Sequence, residues 1–581
     1  MRRSYKEITR KGFDRRIQKQ LTEYYQMSNP NDTSVPQNFD AVPTDFTLPN
    51  NVEDDPEFSN IEELIHDACV EHSDEVHFDD IEIRYVDFNC SDFEDVDINY
   101  VDSNDSHDPF TFYRDFDEFE VAESSLANDL RKWVKTENIA MRKVNSLLRL
   151  LKQHGHSSEL PADYRTLMKT PRHTSRKIQA TNGGLYAHFD VERSIIKALS
   201  QHCDTCPASI DLLINCDGIS FFGSSRGEMW PILFAANVNG IRTNPFIVGA
   251  HFGKSKPHSA NLFMQKTVLE LKNIVNTGLK FKGGLCNVHL KAIICDSPAR
   301  SFITYTKHHS GYFSCTKCEQ EGEYVDHVIL PELDSALRTD ESFRLQSNPQ
   351  HHTGVSFLEN LGIGMVSQIA LDYMHLVCLG VAKKLLSDLV RGPKNIRLNG
   401  DVQQRINDKL LTYNGCYPWE ISRHMRPLNE FTKFKATEFR LFLLYIGPIV
   451  LKNNVSEEYY EHFLNLSLAI RILCDSEKCL EMNEVANSLL RTFVEQYKNY
   501  NGVERLTYNI HNLIHLANEV KQFGSLNNFS CFPFENYLRM LKLKIKPGPL
   551  PMQQLVNRLS EEEQMPLEKV TKKKIPNYLL W

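Results

Sequence analysis

The sequence predicts an α/β protein, with a layer of strands in its middle, a helical hairpin before it and a long helical segment after it. Two observations carry this. Short apolar runs bounded by turn residues fall between Asp211 and Cys295, and apolar patterns at three- and four-residue steps flank them on both sides. The chain has 581 residues, 41% of them hydrophobic and 10% aromatic. That composition supports a substantial core and excludes wholesale disorder, and the length points to roughly two to four compact units.

Residues 1–26 are basic, with Arg10-Lys11 and Arg15-Arg16 spaced like a nuclear-localisation patch, a pattern that also arises by chance. Pro30, Pro36, Pro43, Pro49 and Pro56 then punctuate a stretch of Ser, Thr and Asn, and an acidic tract follows. Residues 27–122 read as a disordered acidic region. Between Glu53 and Glu123 there are 26 Asp and Glu against Arg84 and Arg114, which is −24 and leaves +15 on the remainder of a chain whose total is −9. An acidic segment on a basic body suits a phosphate-backbone partner, the tract acting as a self-masking tail; a solvated face beside an acidic linker is the alternative. The longest strongly apolar stretch, Leu441–Leu451, has 11 residues, against the ~18 that a spanning helix needs. No membrane span is expected. With no apolar leader after Met1-Arg2-Arg3, export is not expected either, and the 14 cysteines read as thiols or metal ligands.

Order is expected from Ser124 and Ser125, plausible N-caps for a helix with Leu126, Leu130, Trp133 and Val134 on one face. A second run carries Met141, Val144, Leu147, Leu148 and Leu151. The pair is a helical hairpin, either a packing hairpin or a helix-turn-helix reader presenting Arg142, Lys143 and Arg149. Strands are expected at 211–217, 229–237, 245–251 and 285–295, with a helix around Leu262–Ile274 between the last two. Helical periodicity resumes at 371–390, 436–451, 457–475 and 482–499.

Asp217 and Asp296 each end an apolar strand. Each alone is explained by a turn or helix cap; as a pair on neighbouring strands they suit divalent cations and phosphodiester chemistry. Cys315-x-x-Cys318 and His511-x-x-x-His515 are two half-sites: the histidines, at i and i+4, share a helix face, and together the four make a tetrahedral set. Cys203-x-x-Cys206 shows how weak a lone pair is as a signal and reads as structural thiols. Glu438 and Glu535 both stand in helical patterns, where a first-turn contact with the helix dipole explains Glu535 and pairing with Lys435 or Arg440 explains a buried Glu438. His251, Lys254 and Lys256 suit phosphate contacts or an ordinary solvated loop.

The series Leu213-Ile-Asn-Cys-Asp217-Gly218, Ile293-Ile-Cys-Asp296-Ser-Pro-Ala-Arg300, Cys315-x-x-Cys318, Asp372-Tyr-Met-His375, His511-Asn-Leu-Ile-His515 and Phe532-Pro-Phe-Glu535-Asn536 resembles CACTA-type (En/Spm-like) cut-and-paste DDE transposases over roughly 125–550. It is more distantly similar to the catalytic subunit of the V(D)J recombinase, including the Gly524-Ser525 step between the His pair and the acid. The resemblance implies a ribonuclease-H-like DDE core interrupted by a large helical insertion, preceded by the disordered acidic region and a small helical domain. It favours Glu535 over Glu438 as the third acid. It implies Asp217, Asp296 and Glu535 holding two Mg²⁺ or Mn²⁺, and Cys315, Cys318, His511 and His515 holding one structural Zn²⁺.

The organisation that follows is 1–26 basic segment, 27–122 acidic region, 123–205 helical pre-core domain, 206–310 first part of the core, 311–510 zinc-clamped insertion, 511–550 core completion and 551–581 tail. Lys254, Lys256, Arg300 and Arg539 are the expected DNA contacts. The expected activity is metal-dependent cleavage and strand transfer of double-stranded DNA, at element ends and target, by a nuclear homo-oligomer with or without an accessory DNA-binding protein. The alternative is a domesticated derivative that binds DNA or chromatin without catalysis. If the acidic tract masks the basic body, deleting 53–123 raises DNA affinity and steepens its loss with salt in a salt-titrated binding assay; equal affinity and slope would refute masking.

Overall fold

The computed structural model describes residues 125–173, 177–220, 227–394, 396–417, 421, 423–546 and 550–565. The basic segment 1–26 and the acidic region 27–122 lie outside them, as does the tail beyond 565. What is described is a mixed α/β body, with one large mixed sheet and many helices.

The sheet is built from β1 (Ile178–Thr181), β2 (Gly184–His188), β3 (Ser209–Cys216), β4 (Glu228–Val238), β5 (Phe246–Gly253), β6 (Gly284–Cys295) and β7 (Ile369–Leu371), in the order β1-β2-β5-β4-β3-β6-β7. Strands β3, β4 and β5 form an antiparallel meander, whereas β6 and β7 continue from β3 in parallel. The four expected strands are present within two residues of their expected ends. Their near-continuous apolar runs are explained by cover on both faces: Ile214, Ile232 and Phe234 on one face and Leu213, Leu233 and Ala235 on the other are all buried.

Helices α1 (Leu126–Thr136) and α2 (Met141–Gln153) form the expected hairpin, starting at Ser125. Val134, Val144 and Leu148 pack with Leu160, Tyr164, Leu167 and Met565. Trp133 and Met141, expected on the apolar stripe, are exposed. Part of the segment expected as a helical pre-core domain, 123–205, belongs to the sheet. The hairpin β1-β2 joins the sheet edge through β5, and α3 (Val191–Ser200) buries Val191, Ile195 and Leu199 in the sheet's own core.

Helix α4 (Ala260–Thr277) crosses from β5 toward β6, its first turn capped by Ser259. After β6, Asp296 starts α5 (Ser297–Thr304). The helical segment contains α6 (Lys383–Arg391, reached through a wide π-helical stretch, Met374–Ala382), α7 (Gly400–Tyr413), α8 (Ala436–Leu441, continuing to Val450), α9 (Glu457–Cys474) and α10 (Asn483–Asn501). Each of the four expected periodic runs is helical. The segment 311–510 is not purely an insertion, however, because β7 within it pairs with β6.

Helix α11 (Leu516–Phe523) follows the His pair and ends at Gly524, whose φ of 74° favours glycine. Helix α12 (Phe532–Lys544) carries Glu535 in its first turn. The expected tail begins with an ordered helix, α13 (Pro551–Glu563), burying Met552, Leu555 and Val556. It joins the helical hairpin to the rest: Arg558 donates to the Tyr164 hydroxyl, Thr170 donates to Glu561, and Lys544 pairs with Glu562. Leu555→Ala, at a position with no exposure, is expected to cost about 2–5 kcal/mol, read by denaturant unfolding.

Candidate functional site

The chemistry-bearing residues collect at the carboxyl ends of the three parallel strands. Leu212 of β3 faces Leu290, but after a bulge Leu213 faces Ala292 and Ile214 faces Ile293. Continued residue for residue, this register sets Asp217 level with Asp296. Without the extra residue in β6, Asp217 would face Cys295. On the other side Leu371 faces Cys295, so Asp372 stands level with Asp296 as well.

Both predicted aspartates are buried. Asp217 Oδ1 accepts from Gly218 N at 2.6 Å. A side chain at Gly218 would bring its Cβ to 2.8 Å from the Trp230 ring, so this close approach needs glycine. Asp296 Oδ1 accepts from Ala299 N at 2.7 Å, capping α5. It is therefore a helix cap and a neighbour of Asp217 at once.

Glu535 arrives from α12. Its carboxylate, that of Asp217 and a ring nitrogen of His375 all lie within 4.8 Å of one another. Asp296 is not in this tight group, although its charge acts on both Asp217 and His375. Burial first, then the charges of Asp296 and Glu535, push the Asp217 carboxyl well above the usual carboxylate range. Like charges held together out of water call for a cation.

His375 is the residue whose role sequence reasoning left unassigned. Its Nδ1 lies 2.6 Å from Asp372 Oδ2, and its Nε2 is 4.0 Å from Glu535 Oε1. Burial lowers its pKa, but the hydrogen bond and charge of Asp372, with Asp296 and Glu535 beyond, raise it to about 9. Asp372 also accepts from Cys531 N at 2.7 Å, just before α12. The signal for this role was the Asp372-Tyr-Met-His375 spacing, which by itself is explained by helix capping.

Glu438, the rival acid, joins none of the metal-capable groups among the described residues. It is buried, its Oε2 accepting from Lys435 N at 2.8 Å and its Oε1 lying 3.5 Å from Arg426 Nε. Of the two residues read as its partners, Lys435 meets it through its backbone N–H, and Arg426 stands beside it as well.

The second cluster unites the two half-sites. Cys315, Cys318, His511 and His515 are all buried, with their ligand atoms within 4.8 Å of one another. Cys318 Sγ lies 3.2 Å from His511 Nε2, Cys315 Sγ lies 3.5 Å from His515 Nε2, and the two Nε2 atoms are 3.4 Å apart. The histidines do not share one regular α-helix: a short turn, Tyr508–His511, passes into a 3-10 turn, Asn512–His515. Burial raises the Cys315 thiol, but the Cys318 hydrogen bond and both imidazoles outweigh it and hold the group low. Backbone N–H groups of Lys317 and Cys318 also point at its sulfur, each at 3.4 Å. Among the described residues, Cys203 and Cys206 join no such group and pack against the core.

Of the expected DNA contacts, Lys254, Lys256 and Arg539 are exposed. Arg300 is not available: it is buried, donating to the Ala370 carbonyl at 3.4 Å and to the Tyr508 hydroxyl. His251 is likewise buried, inside β5 and not on a loop.

Compared with known proteins, the chain matches no family model and no curated protein. No helix among the described residues is long and apolar enough to cross a membrane. The Cys/His group is expected to bind one divalent ion per chain, and Cys315→Ser and His511→Ala each to lose it and lower the melting temperature. Elemental analysis of the purified variants checks this, and stoichiometric metal in both would refute it.

Proposed function

We propose that this chain is a DDE-type DNA transposase with a ribonuclease-H-like core, cutting and joining DNA with divalent metal. The observation that carries this is the sheet order, an antiparallel meander β5-β4-β3 continued in parallel by β6 and β7, with acids level at the ends of β3 and β6 and a third acid delivered by α12. Open α/β sheets bind ligands beyond the carboxyl ends of their strands, which is where these acids stand.

Asp217, Asp296 and Glu535 would hold two Mg²⁺ or Mn²⁺. Burial, and after it the repulsion of Asp296 and Glu535, raises the Asp217 pKa, which fits such a role, since divalent charge would relieve the repulsion. When bound, these metals activate an attacking oxygen and stabilise the leaving oxygen of an in-line displacement. In cleavage, a water oxygen would form the new bond to phosphorus and the 3′ oxygen would leave as a hydroxyl; in joining, that 3′-hydroxyl would attack a target phosphodiester and displace the target strand's own 3′ oxygen, which leaves as a hydroxyl with the proton the attacking group gives up. His375, pinned through Nδ1 by Asp372, presents Nε2 beside the reacting acids. Exposed Lys254, Lys256 and Arg539 suit the phosphate backbone. The Cys/His set fits Zn²⁺, with two sulfurs and two imidazoles in a fully enclosed site, the arrangement of a structural ion. Double-stranded DNA would be the partner, the protein acting as an oligomer in the nucleus.

Asp217→Asn, Asp296→Asn and Glu535→Gln preserve shape and remove charge. Each is expected to abolish cleavage and strand transfer of DNA carrying the sequences that flank the gene, while leaving DNA affinity intact. Glu438→Gln is expected to retain activity. A dead Glu438 variant beside an active Glu535 variant would reassign the third acid. A wild-type protein that binds this DNA and never cuts it, with metal present, would establish the binding-only derivative.

A further inference from the structure

Strand β7 has three residues, all buried. One side pairs with β6. On the other, the outward backbone groups face protein, where water cannot satisfy them. Two charged side chains take the place of a neighbouring strand. Lys317 Nζ donates to the Val366 carbonyl at 2.8 Å and the Ile369 carbonyl at 3.0 Å, and Glu519 Oε2 accepts from Leu371 N at 2.9 Å. The two are paired with each other, Nζ to Oε1 at 2.6 Å, with side chains 8% and 6% exposed.

The origin of the pair matters. Lys317 lies between Cys315 and Cys318, and Glu519 lies one turn beyond His515. Each half of the Cys/His group therefore contributes one half of the ion pair. The strand they hold runs directly into Asp372, which takes His375 Nδ1 on one side and the N–H preceding α12 on the other. Both His375 and Glu535 thus depend on where β7 ends.

Stability alone is a weak reason for this pair. Buried ion pairs are often replaced by apolar residues at no cost, because desolvation offsets their attraction. What apolar residues cannot supply is a donor and an acceptor matched to the open edge of β7. We infer that the Lys317–Glu519 pair is a positioning link, through which closure of the Cys/His site sets β7 and so places His375 and Glu535 in the acid cluster. This rests on reading that cluster as the cleavage centre.

The test is the full chain carrying Lys317→Met and Glu519→Met together, which leaves neither charge buried alone. Zinc content, Mn²⁺ affinity by electron paramagnetic resonance, DNA affinity, and cleavage kcat and KM are measured beside wild type. Zinc, DNA affinity and KM are expected to stay within about twofold, while kcat and Mn²⁺ affinity fall about 10–100-fold, the range for groups that orient ligands indirectly. A folded double variant with zinc, kcat and Mn²⁺ affinity all unchanged would overturn the link. Loss of zinc would overturn it too, because the pair would then serve the Cys/His site itself. If the double variant does not fold, Lys317→Met alone, which removes the donor to the Val366 and Ile369 carbonyls, carries the same expectations. If wild type cuts no DNA, the cleavage reading fails, and the Mn²⁺ affinities still decide the link.

Discussion

The structure turns on a one-residue irregularity between two parallel strands. The bulge at Leu212 and Leu213 advances β6 by one residue relative to β3, and only then do Asp217 and Asp296 end their strands at the same level. Side chains alternate across a sheet, so a slip of one residue would have turned an acid from one face to the other. The same level extends to Asp372 through the β6-β7 pairing. Three carboxylates on adjacent strands, all buried, and a fourth from α12 are costly to hold together. The surrounding elements can be understood as answers to that repulsion.

One answer is local. Asp372 is stabilised as an anion despite its burial, because His375 and the N–H groups of His375, Met374 and Cys531 all donate to it. The resulting Asp372–His375 pair carries a positive edge toward Asp217 and Glu535. Another answer is architectural. Arg300, expected on the surface, is instead turned inward to Ala370 and Tyr508. It braces β7 against the turn that begins the His half-site, complementing Lys317 and Glu519 on the strand's outer edge.

Much of the fold was legible because apolar runs that are buried on both faces have few alternative readings. Strands β3 to β6 and helices α9 and α10 follow directly from periodicity. Strand β7 was not legible, since three residues carry no period and its edge is completed by side chains from 317 and 519. The hairpin β1-β2 was missed for a related reason: β1 is largely exposed, and its pairing and not its composition makes it a strand. Helix α13 was hidden by the expectation that a chain end is a tail. At the site, strand ends and residue spacing singled out Asp217, Asp296, Cys315, Cys318, His511 and His515, while the choice of Glu535 over Glu438 needed a resemblance. Arg300 was misjudged because sequence does not reveal which way a cation turns.

The two clusters differ in a way that separates their roles. All four Cys/His groups are buried, the most exposed being His515 at 4%, so an ion there would have no open position for substrate. The acid cluster is asymmetric: Asp217 is enclosed, but Glu535 keeps 29% and His375 15% of their side chains in solvent. A closed tetrahedral set stabilises a fold, whereas a site that performs chemistry must leave a position open. Glu535 stands on α12, whose Arg539 and Lys542 are exposed further along the same helix. On the cleavage reading, those cations would meet a phosphate backbone beside the acids.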